Sequence, residues 1–338
     1  MPETESVERD SKPIDMHVHI VGNGAGGTGC WMRVTGLHRP MAWFMLRHIG
    51  LPVSVLTGDL DRIYVERLLE LVRTSSLGRV VILAHEQVYD EQGRLMEGFG
   101  SVYVPNDYVL RLAREHPEFL PAVSIHPARP DALEELDRCI DGGAVMMKCL
   151  PNCQNIDCSD RRYTAFWERM AEAGIPLLAH TGGEHTVPVI RKEYSNPQIL
   201  EWPLQCGVTV IAAHSGTKSG LFDPDYFSIF EEMTKRYPRL YGDNSAFNTP
   251  FRGRNVPACI QSPLAERILH GSDFPVPIYG RWARMRGYIS GEDFEKWRNH
   301  PNNLERDYQL KRAMGFPEPS FRRINDLLRL KKVQKKPG

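Results

Sequence analysis

Cysteine is sparse in this chain: seven residues are scattered over 338, an odd number without a Cys-x-x-Cys pair. That excludes a dense disulfide framework and favours reduced thiols. Net charge is missing too, because 42 Lys and Arg balance 42 Asp and Glu. This gives no general field to draw in nucleic acid or an anionic membrane, so neither is the expected partner, and the small-molecule substrate expected instead is argued from the sites below. Residues 1–13 are polar and acidic and lack a basic start followed by an apolar stretch, so a cytoplasmic location is the expectation. A P-loop Gly–Lys motif and a Gly-x-Ser-x-Gly elbow are absent, and no dinucleotide fingerprint stands at a strand–turn–helix junction.

What is present is ordinary globular composition, 41% hydrophobic and 9% aromatic, which excludes a disordered or membrane-spanning chain. Eight short apolar, β-rich runs alternate with helical patterns: Ile14–Ile20, Arg79–Glu86, Phe119–His126, Gly143–Leu150, Ile175–Thr181, Val208–His214, Leu240–Ala246 and Ile268–Phe274. Such alternation predicts an α/β protein built as a (β/α)8 TIM barrel over residues 14–280. Helices are expected over Asp131–Ile140, with Leu133, Leu136 and Ile140 on one stripe, and over Arg162–Ala173. Residues 21–78 form a long helical insertion after the first strand, opening with the glycine-rich stretch 22–27 and carrying Trp31, Met41, Trp43, Phe44 and Met45. It is either a lid over the C-terminal ends of the strands or a packing element; where exposed, its Trp43–Met45 segment suits a homodimer contact. Residues 281–338 read as a C-terminal helical extension packing on the barrel, with helices over Gly291–His300, Leu304–Met314 and Ser320–Val333 and a Lys-rich tail.

The strongest chemical feature is Ile14-Asp15-Met16-His17-Val18-His19, where strand alternation sends His17 and His19 to one side. Two neutral imidazoles converging near the top of a barrel are a common way to hold a divalent metal. Of the 12 histidines, His85, His126, His180 and His214 also fall at C-terminal ends of the expected strands, where barrel enzymes build their sites. The eighth run adds Asp273 in Gly271-Ser272-Asp273-Phe274-Pro275; taken alone, an aspartate before a proline also fits a turn or a cap.

From Ile14 to Pro277 these residues resemble the amidohydrolase superfamily, and specifically the amidohydrolase-related branch that contains enzymes of the aminocarboxymuconate semialdehyde decarboxylase type. The resemblance rests on the His-x-His of the first strand, His180 on the fifth, His214 in Ala212-Ala213-His214-Ser215-Gly216 on the sixth and Gly-Ser-Asp-Phe-Pro on the eighth. It implies that His17, His19, His180 and Asp273 surround a divalent metal, zinc being the first choice for so many imidazoles, with a water in an open position. Asp273 would then be the general base and proton carrier, and His214 would polarise the substrate carbonyl or complete a second metal site. Lys148 stands where binuclear members carry a carboxylated lysine that bridges two metals; a salt bridge or a bond to a substrate carboxylate are its other roles.

His85 and His126 would line the pocket and touch substrate, or else bond backbone at the rim. Arg252 and Arg254, in the loop after the seventh strand, would clamp a carboxylate or phosphate, or else be solvated. Glu184 and His185, just beyond the fifth strand, are similarly placed. Cys149, Cys153 and Cys158 match no zinc spacing and read as free thiols. The expected activity is hydrolysis of an amide, ester or lactone, with nonoxidative decarboxylation or hydration as the alternative from the same branch. A phosphate ester hydrolase would need a binuclear site, and a noncatalytic scaffold would normally close its metal with four protein ligands.

Overall fold

The computed structural model describes residue 9, residues 11–36 and residues 38–330. Eight barrel strands follow one another in sequence: β1 (Ile14–His19), β2 (Arg79–Leu83), β3 (Phe119–Val123), β4 (Met146–Cys149), β5 (Leu177–His180), β6 (Val210–Ala213), β7 (Leu240–Asp243) and β8 (Ile268–Leu269). Each lies parallel to the next. The last meets the first through Met16 N–H to His270 O (3.2 Å), Asp273 N–H to His17 O (2.9 Å) and His19 N–H to Phe274 O (2.8 Å), which closes a TIM barrel. The strands are shorter than the apolar runs, chiefly at their C-terminal ends, where the chain leaves the ladder to form the rim loops.

Two apolar layers account for the burial. Inside the barrel, Met16, Val81, Leu83, Leu120, Met146, Leu178, Ile211 and Leu269 fill the lower part. Outside, alternate strand residues such as Val80, Ile82, Met147, Leu177, Val210 and Ile268 pack against the helices. On β1 this alternation is interrupted, because its register against β2 slips between Asp15 and Val18. Before the slip, Ile14 and Met16 face the interior; after it, Val18 and Ile20 face the helix layer. The irregularity therefore swaps the faces, and His17 and His19 enter the barrel instead of the helix layer.

The crossover helices run close to their expected positions, at Ala132–Asp141 and Thr164–Ala173. The first buries Leu136 and Ile140 but leaves Leu133 40% exposed, so its stripe is completed by Ala132 and Cys139 instead. Within 21–78, helix Leu60–Arg73 serves as the crossover from β1 to β2, leaving 21–59 as added chain. Gly22, Gly24 and Gly27 have dinucleotide-loop spacing, yet they lead into a 3-10 turn at Ala25–Gly27 and a short strand, Trp31–Met32, paired antiparallel with Val102–Tyr103. The buried Asp61 carboxylate gathers that loop by accepting from the N–H groups of Asn23 and Gly24 and from Thr28. Helix His38–His48 follows. Among the described residues, no helix is long and apolar enough to cross a membrane.

The C-terminal extension holds helices Gly291–Trp297 and Asn303–Ala313. The helix expected over 320–333 does not form as one element: a 3-10 turn (Glu318–Phe321) and a single helical turn (Ile324–Leu327) replace it, and 331–333 lie outside the described residues. Its apolar residues have another use, since Ile324 and Leu328 join the interior layer and plug the lower end of the barrel. Helix Asn303–Ala313 also reaches the β8 turn, where the buried Lys311 ammonium donates to Gly271 O (2.6 Å) and to Asp307 (2.7 Å). Removing one partner of such a buried pair strands the other charge. Lys311→Met is therefore expected to lower the unfolding free energy in urea by about 3–5 kcal/mol, with the double variant Asp307→Asn/Lys311→Met recovering most of it. A loss below about 1 kcal/mol for the single variant would contradict this role.

Candidate metal centre

The period-two geometry of the strands sets the chemistry one step above the core. Met146, Leu178 and Tyr241 contribute to the interior layer, so Lys148, His180 and Asp243, each two residues on, project into the barrel above it. His214 follows the end of β6, and Asp273 sits in the turn after β8.

These groups meet at one place. Asp273 Oδ1 lies 3.3 Å from Nε2 of both His17 and His19. His17, His214 and Asp273 each offer a ligand atom, and all three atoms lie within 4.8 Å of one another. The rings of His17 and His19 are 5.1 Å apart, and those of His180 and His214 are 4.9 Å apart. Lys148 Nζ is 3.3 Å from His17 Nε2.

Beneath the cluster lies a residue that the sequence reading did not single out, the fully buried Asp243. Its Oδ2 is 2.8 Å from His17 Nδ1. Its Oδ1 accepts from the backbone N–H of His214 (2.7 Å) and of Ser245 (3.1 Å), and from the Ser245 hydroxyl. An ionised carboxylate only accepts, so His17 Nδ1 must carry the proton. The Ser245 hydroxyl spends its hydrogen on Asp243, so the 2.7 Å contact from His214 Nδ1 to Ser245 Oγ is donated by the imidazole. Both rings are thereby fixed with an unprotonated Nε2. Burial raises the Asp243 carboxyl, but His17, His214 and Ser245 outweigh it and hold the group well below its usual range. The His17 imidazole is pushed down to about 4 by burial and by Lys148, against the pull of Asp273 and Asp243.

The rim that holds these groups is strained. His214, Ser215, Ala246 and Asp273 all adopt φ between 53° and 66°, the left-handed region that side chains disfavour. Hydrogen bonds hold the β8 turn in that shape: Asp15 Oδ1 accepts from Ser272 N–H (2.9 Å) and His17 N–H (3.1 Å), and Asn244 Oδ1 from Gly271 N–H (3.2 Å). Glycine is required at 271, where a Cβ would stand 2.7 Å from that of His17.

Above the cluster opens a cavity of about 460 Å³, bordered by His19, Lys148, His180, His214 and Asp273 and walled by Met32, Met41, Phe44 and Met45 from the added segment. The insertion thus covers the site. His85 borders the cavity, its imidazole kept neutral by burial at about 3. Arg252 borders it too, but as a buried residue whose guanidinium donates to Gly183 O (2.7 Å) and Thr217 O (3.0 Å). Glu184 and His185 join the border; Glu184 Oε2 is 3.6 Å from His180 Nδ1. Two residues expected to touch substrate do not border this cavity. His126 is fully buried away from the cavity lining, its Nδ1 accepting from Ala128 N–H (3.1 Å), because its strand has ended and the ring caps its own loop. Arg254 is exposed on the 3-10 turn Arg252–Asn255, which carries its side chain to solvent. All seven cysteines are free thiols.

The donor set fits a divalent transition metal. Two imidazoles present unprotonated Nε2 atoms, Asp273 supplies a carboxylate oxygen, and His180 Nε2 is buried with no hydrogen-bond partner among the described residues. A His17 ring pinned by a carboxylate behind it is the usual companion of such a ligand.

Fold and cluster together define a TIM barrel with a histidine–aspartate cluster, able to hold a metal ion, at its C-terminal rim. Residues 14–297 match the Amidohydrolase family, and the chain belongs to it. Among solved structures, it is similar to an uncharacterized TIM-barrel protein from Bordetella bronchiseptica, at 18% identity over 88% of this chain and 99% of that one, with a TM-score of 0.56. It also resembles a structure designated a 2-pyrone-4,6-dicarboxylic acid hydrolase from Pseudomonas putida, at 15% identity over 95% and 99% of the two chains, with a TM-score of 0.52. A third is a 5-carboxyvanillate decarboxylase from Novosphingobium aromaticivorans with bound manganese, at 10% identity over 88% and 95%, with a TM-score of 0.52. At these identities the likeness is one of fold. No curated protein sequence matches the chain.

Asp243→Asn is expected to replace an acceptor facing His17 with a mixed donor and acceptor, and to weaken zinc binding about 10–100-fold in competition with a chromophoric chelator. Circular dichroism would confirm a retained fold. Unchanged zinc affinity in a folded variant would remove Asp243 from the site.

Proposed function

We propose that this amidohydrolase-family protein hydrolyses an amide, ester or lactone bond of a small molecule, with one divalent metal, zinc first, held by His17, His19, His180 and Asp273 and with His214 facing the same point. The observation that supports this is the convergence of Asp273 with His17, His19 and His214 at the floor of a covered cavity. A metal held there supplies Lewis acidity, polarising a carbonyl and acidifying water.

The remaining work falls to the chain. Asp273 is held well below the ordinary carboxylate range, burial being outweighed by His214, His17 and His19, so it is ionised and able to accept a proton at Oδ1 and release it to the leaving group. His214 offers a lone pair at Nε2, which suits a ligand or a proton acceptor better than the carbonyl-polarising donor inferred from the resemblance. Arg252, already bonded to two backbone carbonyls, is a fixed cation that would orient a substrate carboxylate. Lys148 acts in this reading as an uncarboxylated amine beside His17, its basicity lowered by burial, and Met41, Phe44 and Met45 exclude water.

One observation favours the second reading, nonoxidative decarboxylation or hydration. The cavity brings two buried basic side chains, Lys148 and Arg252, both pushed down by burial, against an apolar lid; a carboxylate on an apolar body would match them and favour their charged forms. A panel of esters, lactones and N-acyl amino acids followed by proton release, beside carboxylic acids followed by carbon dioxide release, separates the readings. Hydrolysis is expected on at least one member, abolished by chelator, restored by zinc or manganese, and lowered about 10²–10⁴-fold in kcat by Asp273→Asn. Carbon dioxide release without hydrolysis would overturn the hydrolase reading, and Asp273→Asn activity within about tenfold of the parent would overturn the role of Asp273.

A further inference from the structure

A second cleft, of about 580 Å³, lies beside the catalytic cavity at the C-terminal end of helix His38–His48. Phe44 and Met45 of that helix wall the catalytic cavity, and His48, one turn on, borders the second cleft. Its lining combines three arginines, Arg281, Arg298 and Arg306, with Tyr279, Trp282 and Phe294, and includes no aspartate or glutamate.

The arginines are unevenly satisfied. Arg298 is paired with Glu295 at 2.9 Å. Among the described residues, Arg306 donates only to neutral groups, His48 Nε2 (2.9 Å) and Arg298 O (3.2 Å). That His48 nitrogen also accepts from Ile278 N–H (3.0 Å), and burial and Arg306 keep the ring neutral at about 4. The adjacent Asp307 is engaged by Lys311. Among the described residues, Arg306 Nε is buried without a hydrogen-bond partner, and so is Nε1 of Trp282, a residue of the same lining. Arg281 is exposed and makes no ion pair among the described residues. Arg281 and Arg306 thus bring to one concave space two guanidinium groups that no carboxylate pairs among the described residues, and an oxyanion would match them. The aromatic walls add a flat apolar surface: Tyr279 stacks on Phe44 with an interplanar angle of 15°, and the volume suits a small ligand.

We propose that this cleft is a second ligand site, distinct from the metal centre, which takes a small oxyanion carried on an aromatic or similarly flat body, the anion on Arg281 and Arg306 and the ring against Tyr279 and Trp282. It does not depend on which reaction the metal centre performs. Its occupant would rest beside His48 and Tyr279, whose rings contact Phe44 in the wall of the catalytic cavity.

Isothermal titration with phenyl phosphate tests it, using the metal-loaded full chain, Arg281→Gln, and Arg281→Gln/Arg306→Gln. The parent is expected to show a binding event that each variant weakens about tenfold or more, and that inorganic phosphate fills about tenfold more weakly than phenyl phosphate. An event that persists in the variants reports the catalytic cavity, where Lys148 and Arg252 remain. Arg281 is exposed, so its single variant decides the matter if the double variant fails to fold. Unchanged phenyl phosphate binding in folded Arg281→Gln, or equal affinity for the two probes, would overturn the proposal. So would a dimer in light scattering that Arg281→Gln dissociates, since the cleft would then be an interface between copies.

Discussion

The site depends on one buried carboxylate. Asp243 holds His17 by its ring and His214 by its backbone, and reaches the His214 ring through Ser245. It acts on β1, β6 and the rim of β7 at once, so three separate segments share one geometric reference. A charge in the barrel interior is costly unless its lone pairs are filled, and here they are filled by the groups that need positioning. The same contacts fix the protonation of both imidazoles, which leaves the Nε2 lone pairs for a ligand.

The second requirement is the register slip on β1. Barrel interiors are filled by alternate strand residues, and continuing the Ile14–Met16 parity would have turned both histidines toward the helices. The slip, the left-handed turn at Asp273 and the bond from Asp273 N–H to His17 O bring strands one and eight into a single unit. Strain at the rim is offset by a dense set of hydrogen bonds beneath it, some from as far along the chain as Lys311.

Much of this was legible in the sequence, and the exceptions have physical causes. The eight strands and their order followed from apolar runs spaced for a crossover helix, and His17, His19, His180, His214 and Asp273 stood out by falling at strand ends. Asp243 did not, because a lone aspartate inside the Leu240–Ala246 run belongs to no motif; its position two residues beyond an interior-facing Tyr241 was the available signal. Arg252 and Arg254 were indistinguishable by type and loop, and only the local 3-10 turn buries one and exposes the other. His126 shared the strand-end pattern but turns back on its own loop. The C-terminal helix expected over 320–333 failed because Ile324 and Leu328 are drawn into the open lower end of the barrel, a tertiary demand that a local pattern does not carry.

Membership of the amidohydrolase family and the convergence of His17, His214 and Asp273 beneath a covered cavity make one coherent account, in which Asp243 fixes the imidazoles and the added segment walls the space above them. The most direct test is the metal content of protein purified without chelator, measured by elemental mass spectrometry against an accurate protein concentration. The account predicts about one zinc, manganese or similar ion per chain. No bound metal after incubation with divalent ions would contradict it.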